Sequence, residues 1–112
     1  MNTKLNQLKK IIEQGESDVV EFKKSTSLLT AIFNAVCAFL NGDGGIVLIG
    51  VTDNGKIVGQ EISDRTCQEI ANEISKLEPS AHAQIAISYV PITDKNKVIA
   101  INVQAGSHKP YI

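Results

Sequence analysis

Four charged side chains in this 112-residue chain have types that could do chemistry together: Glu16, Glu21, Lys23 and Asp53. Carboxylates gathered in one place repel each other, so a cluster of them is stable mainly around a divalent cation such as Mg²⁺ or Mn²⁺. A metal held by Glu16, Glu21 and Asp53 could activate a water against a phosphodiester. Lys23 would balance charge on the phosphate, which makes Glu16, Glu21, Lys23 and Asp53 the candidate catalytic set. The plainer reading stands beside it. Glu21 and Lys23 are then a solvated strand face, and Asp53 is the natural first residue of a turn.

A second set is cationic. The lysines of interest are Lys9, Lys10, Lys23, Lys24, Lys95, Lys97 and Lys109, and of these Lys23, Lys24, Lys95, Lys97 and Lys109 are the candidates for contact with a phosphate backbone. Lys95-Asn96-Lys97 forms the tip of an expected hairpin, and a two-stranded ribbon fits a groove. Hairpin tips are also charged simply for solubility. The net charge of −1 argues against a module that coats nucleic acid by charge alone, and it leaves room for a local basic patch. Aromatic stacking partners are scarce. Tyr89 is expected half-buried in a strand, and Tyr111 lies near the end of the chain.

The remaining chemistry-bearing types offer less. Asn41-Gly42-Asp43-Gly44-Gly45 is glycine-rich, but it follows a helix and opens a strand, the reverse of a phosphate loop. Its plainer reading is a helix end and a tight turn. No G-x-x-x-x-G-K-[ST] occurs, so ATP is not an expected substrate. Cys37 and Cys67 have no CxxC or paired-histidine spacing and read as small buried hydrophobes. His82 and His108 read as loop residues.

The elements that must position these groups follow from periodicity. Leu5, Leu8, Ile11 and Ile12 recur at helical spacing before Gly15. Val19–Lys23 reads as a strand with Val20 and Phe22 on one face and Glu21 and Lys23 on the other. Ser25, Thr26 and Ser27 offer caps for a helix over Leu28–Leu40 that is apolar on nearly all sides. Ile46–Val51 is a continuous apolar run bounded by glycines, which predicts a central strand buried on both faces. Asp53-Asn54-Gly55-Lys56 predicts a type I′ hairpin turn, with Ile57-Val58 returning. Cys67, Ile70, Ala71, Ile74 and Leu77 predict a helix capped by Ser63 or Asp64 and stopped by Pro79. Gln84–Val90 and Lys97–Val103 are two further strands. The fold class is therefore α/β (α+β): a single mixed sheet with helices packed on it.

Length allows one domain over residues 1–112. The segment Met1–Gln7 is polar and helical with no apolar signal core, and no apolar run is long enough to cross a bilayer. A soluble cytoplasmic protein with no membrane partner is expected.

Glu16-x-x-x-x-Glu21-Phe22-Lys23-x-Ser25, then Val36-x-Ala38-Phe39-x-Asn41, then Gly44-Gly45-x-x-Leu48-Ile49-Gly50-Val51-x-Asp53-x-Gly55-x-Ile57-Val58-Gly59 together resemble the Schlafen AlbA-like domain family. The resemblance runs from Glu16 to about Tyr111. It implies an AlbA-like α/β fold that binds nucleic acid, DNA or RNA, within bacterial proteins described as transcriptional regulators or divergent AAA-type proteins. It also implies, from the RNA-cleaving animal members, an acidic site matched here by Glu16, Glu21 and Asp53 with Lys23 beside them. The sequence departs from the family pattern at Asp43, where small polar residues are commoner. It also stops after Lys109-Pro110-Tyr111, where the family continues into another strand. The chain is accordingly expected to be an N-terminal fragment of a longer protein, with further domains in the same chain. An uncovered sheet edge would then be open to homodimer formation.

Three functions compete on these grounds. The first is a nucleic-acid-binding, DNA-binding module of a transcriptional-regulator-like protein. The second is a Mg²⁺- or Mn²⁺-dependent endoribonuclease. The third is a protein-interaction or dimerisation domain.

Overall fold

A computed structural model describes residues 3–112; Met1 and Asn2, the start of the polar N-terminal segment, lie outside the described residues. Helix α1 spans Thr3–Gln14, strand β1 Val20–Lys23, helix α2 Leu29–Asn41, strand β2 Gly45–Ile49, helix α3 Asp64–Ser75, strand β3 Ile85–Pro91 and strand β4 Lys97–Val103. Among the described residues no helix is long and apolar enough to cross a membrane.

The strands form one four-stranded sheet in the order β1-β2-β4-β3. β1 runs parallel to β2, with Phe22 opposite Leu48 and Lys23 opposite Ile49. β2 pairs antiparallel with β4, Ile49 opposite Ile99, and β4 pairs antiparallel with β3, Ala100 opposite Ser88. The sheet is mixed, as the alternation of strands and helices predicts.

Period-two alternation sorts the sheet's side chains onto two cores. On one face Val47, Ile49, Ile99, Ile101 and Val103 meet Ile32, Phe33, Val36, Phe39 and Leu40 of α2 and Ile70 and Ile74 of α3. On the other, Phe22, Leu48, Val90, Val98 and Ala100 meet Leu8 and Ile12 of α1. Burial on both faces explains why Ile46–Val51 reads as an unbroken apolar run.

Three local expectations are corrected. The helix expected from Leu28 begins one residue later, and a 3-10 turn over Thr26–Leu28 precedes it. Ser25 caps that turn by accepting the Ser27 N–H, whereas α2 itself has Leu28 at its N-cap with no side-chain bond. Leu28 is left 48% exposed, so α2 buries one broad face rather than its whole circumference.

The turn after β2 is not type I′, because no non-glycine residue has a positive φ among the described residues. Gly55 N–H closes the turn on Thr52 O at 2.9 Å, and Gly55 alone takes the left-handed conformation, φ +87°. Such a bulged loop needs only one left-handed residue, and Asn54 Oδ1 instead accepts from the Thr52 hydroxyl. The return through Ile57 is a single bridge to Val51 rather than a ladder.

Here the chain crosses over itself at two glycines. Gly50 O accepts both Val58 N–H and Gly59 N–H at 2.8 Å. A Cβ on Gly50 would lie 2.8 Å from the Gly59 Cα, and Gly50 holds φ +105°. Both conditions exclude a side chain there.

Candidate nucleic-acid interface

The register fixes which ends of the strands meet. Lys23 closes β1 opposite Ile49, Ile49 lies opposite Ile99, and Lys97 begins β4 two residues earlier. The β3–β4 tip that carries Lys95 therefore projects from the same end of the sheet as Lys23 and Lys24. The turn after β2, with Asp53 and Lys56, belongs to that end as well.

Side-chain and backbone bonds tie these segments together. Gln60 pairs with Lys97 through both backbone groups, N–H to Lys97 O at 2.9 Å and O from Lys97 N–H at 2.8 Å. The Gln60 side chain reaches across to Thr26, accepting its N–H at 2.9 Å and donating to its hydroxyl at 3.0 Å. Asn96 Nδ2 donates to Val58 O at 3.4 Å. Gln60 thus links the segment after β1 to the start of β4. It carries no charge and sits at no periodic position, so nothing in the sequence marked it.

Between Lys23 and Lys24, at and just after the end of β1, and the turn lies an open hollow of about 530 Å³, lined by Phe22, Lys23, Lys24, Leu28, Thr52, Asp53 and Asn54. Glu21 and Lys23 share a sheet face, as period two predicts, and Lys23 Nζ stands 3.4 Å from Glu21 Oε2. Lys24, Lys95 and Lys97 make no ion pair among the described residues, so their charge is open to a partner. Lys56, which was not among the candidate lysines, also lies exposed at this end.

The acidic residues behave differently from one another. Glu16 Oε2 accepts the Phe22 N–H at 2.8 Å. The N–H groups of Val20 and Phe22 point away from β2, because Val19 and Lys23 supply the carbonyls that β2 uses. Glu16 therefore caps the outer edge of β1. Glu21 is paired with Lys23, and Asp53 lines the hollow. No group of three or more His, Cys, Asp or Glu that could hold a metal ion is found among the described residues. Of the three carboxylates read together in the sequence, Glu16 is engaged by a backbone N–H and Glu21 by a lysine.

Lys109 stands apart from the other candidate lysines. Gly106 N–H bonds Leu40 O, and Tyr111 bonds Asn41, so residues 106–111 lie against the C-terminal end of α2. That end leads into Gly45, opposite Val103, at the far end of the sheet from Lys95. Tyr111 is 3% exposed and belongs to the core, not to a stacking surface. Tyr89 is half-buried and its hydroxyl is pushed up to about 12, first by burial and then by the neighbouring Cys67 thiol. The glycine turn after α2 is a helix end: Gly42 N–H returns to Ala38 O and Phe39 O, and Gly44 N–H to Phe39 O.

A family profile described as Schlafen, AlbA_2 matches residues 16–112. A comparison with curated proteins gave no match.

Proposed function

This chain belongs to the Schlafen, AlbA_2 family, and from that membership we propose that it is a nucleic-acid-binding module that holds a phosphate backbone at one end of its sheet. The family is consistent with a nucleic-acid-related role. The observation that carries the proposal is the convergence of Lys23 and Lys24, at and just after the end of β1, with Lys95 and Lys97 from the β3–β4 hairpin. These cations are remote in sequence, and three of them have no acidic partner among the described residues.

Phosphates are bound by such lysines as point charges, with release of condensed counterions. Overall charge is near neutral, so affinity is modest and confined to this end. The hydrogen-bonding wall of Thr52, Asp53 and Asn54 faces the lysines across the hollow and supplies donors and acceptors for a sugar or base. In a regulator of transcription, further domains of the same chain would choose the target sequence. Lys109, at the opposite end, has no part in this contact.

The test is a titration of fluorescently labelled single-stranded DNA, duplex DNA and tRNA with the protein across a salt series, with and without Mn²⁺. Binding that needs no metal and weakens linearly in log salt supports the proposal. Affinity for none of the three ligands at low salt refutes it. Turnover of RNA that requires Mn²⁺ would make the chain a nuclease instead.

A further inference from the structure

The two edges of the sheet are finished differently. On β1 the outward N–H of Phe22 is capped by Glu16, and Val20 is bridged in both directions by Ser17, O to N–H at 3.0 Å and N–H to O at 3.4 Å. That edge is closed by its own chain, with charge beside it at Glu21 and Lys23.

β3 has no such cover. Its pairing with β4 uses the even-numbered residues: Gln84 O accepts Gln104 N–H at 2.8 Å, and Ile92 N–H donates to Asn96 O at 2.9 Å in the same register. The N–H and C=O groups of Ile85, Ile87 and Tyr89 therefore point outward from the sheet. No backbone or side-chain bond to these N–H groups is found among the described residues. The strand reads Ile-Ala-Ile-Ser-Tyr-Val-Pro, without one charged residue. Proteins blunt an exposed edge with charge, proline, a bulge or a covering segment, and β3 has only Pro91, at its far end.

We infer that β3 is a self-association edge, on which a second copy of this chain adds its own β3 antiparallel. The pattern is self-complementary about Ile87. A two-fold axis there sets Ile87 opposite Ile87 and Ile85 opposite Tyr89, all in hydrogen-bonded pairs made by the outward groups. Ile85, Ile87 and Tyr89 already lie partly buried on the α2–α3 face, so the cross-strand pairs extend an existing apolar layer. On the other face Ala86 meets Ser88, small enough to pass without a clash. The strand carries no charge, so the pairing brings no like charges together. This inference does not depend on nucleic-acid binding and uses the opposite edge of the sheet from Lys23.

The experiment is sedimentation equilibrium of the full chain from about 10 μM to 1 mM, joined to amide exchange by NMR on the same samples. A dimer is expected in which the amides of Ile85, Ile87 and Tyr89, but not those of Ala86 or Ser88, gain at least tenfold protection as concentration rises. Mixed-label samples should show a contact between the Hα of Ala86 in one copy and the Hα of Ser88 in the other. Ala86→Lys puts a long charged side chain on an exposed position without touching the core, and is expected to weaken association at least tenfold. A monomer throughout, or a dimer whose three amides exchange as fast as in dilute solution, overturns the inference. Protection of the three amides in a monomer by an added extended peptide would give the edge to a foreign strand and overturn it equally.

Discussion

Asn41 and Tyr111 are bonded to each other twice across seventy residues: Asn41 Nδ2 donates to Tyr111 O at 3.0 Å, and Asn41 Oδ1 accepts the Tyr111 N–H at 2.6 Å. The side-chain amide acts as one rung of a strand, and the Cys37 thiol donates to the same carbonyl at 3.1 Å. This latch holds residues 106–111 against the end of α2. Because it removes the partner of the Tyr111 N–H and leaves the Tyr111 carbonyl with the Cys37 thiol alone, Asn41→Ala should cost about 1–3 kcal/mol in urea unfolding. Asn41→Asp keeps the acceptor for the Tyr111 N–H but turns a carboxylate oxygen toward the Tyr111 carbonyl, and should cost at least as much as Asn41→Ala. A loss of less than about 0.5 kcal/mol for Asn41→Ala would mean that the latch contributes nothing to stability.

Phe33 is 7% exposed between α2 and the sheet. Phe33→Ala should cost about 3–5 kcal/mol, the usual range for emptying a large core position. Chemical unfolding with an unchanged m-value is the check.

Tyr89 gives the stability a slope at high pH. Its hydroxyl is raised from 10.0 to about 12 in the folded chain, through burial first and the Cys67 thiol second. The folded state then holds the proton more tightly than the unfolded state. The associated stability is fully present below pH 10 and is lost as pH rises from about 10 toward 12. Tyr89→Phe should flatten that part of the pH profile relative to the parent chain, and identical slopes would contradict this assignment.

Glu21 separates binding from cleavage. Glu21→Gln keeps the size, removes the charge and frees Lys23 from its 3.4 Å partner. The binding account predicts that affinity for nucleic acid stays level or rises several-fold at low salt, because an acid beside the phosphate site has gone. A Mn²⁺-dependent RNA cleavage that collapses in this variant while the fold survives would assign the site to catalysis.

Much of the frame was legible because it is periodic. The apolar run from Ile46 announced a strand buried on both faces, and Lys97–Val103 is a strand over the whole predicted span. Val20 and Phe22 separated from Glu21 and Lys23 by simple alternation. What stayed hidden rests on single long-range bonds. The bond from the Phe22 N–H to Glu16 makes that carboxylate an edge cap, and no spacing rule anticipates a carboxylate reaching six residues along to a backbone donor. Gln60 and Asn41 tie distant segments with neutral amides, which leave no charge pattern. Lys109 looked equivalent to the other lysines until the C-terminal segment proved to end beside α2, with the whole sheet between. The Asn54-Gly55 turn misled because the dipeptide suits two loop types, and only the length of the loop, set by Thr52 and Lys56, chooses between them.

The central claim is that phosphate contact belongs to one end of the sheet. Its most direct test is the salt dependence of nucleic-acid affinity for three proteins: the parent chain, Lys95→Gln/Lys97→Gln, and Lys109→Gln. The account predicts that the double variant binds more weakly and flattens the log–log salt slope by about one to two units, while Lys109→Gln keeps the parent slope. A parent slope in the double variant, or a flattened one in Lys109→Gln, would contradict it.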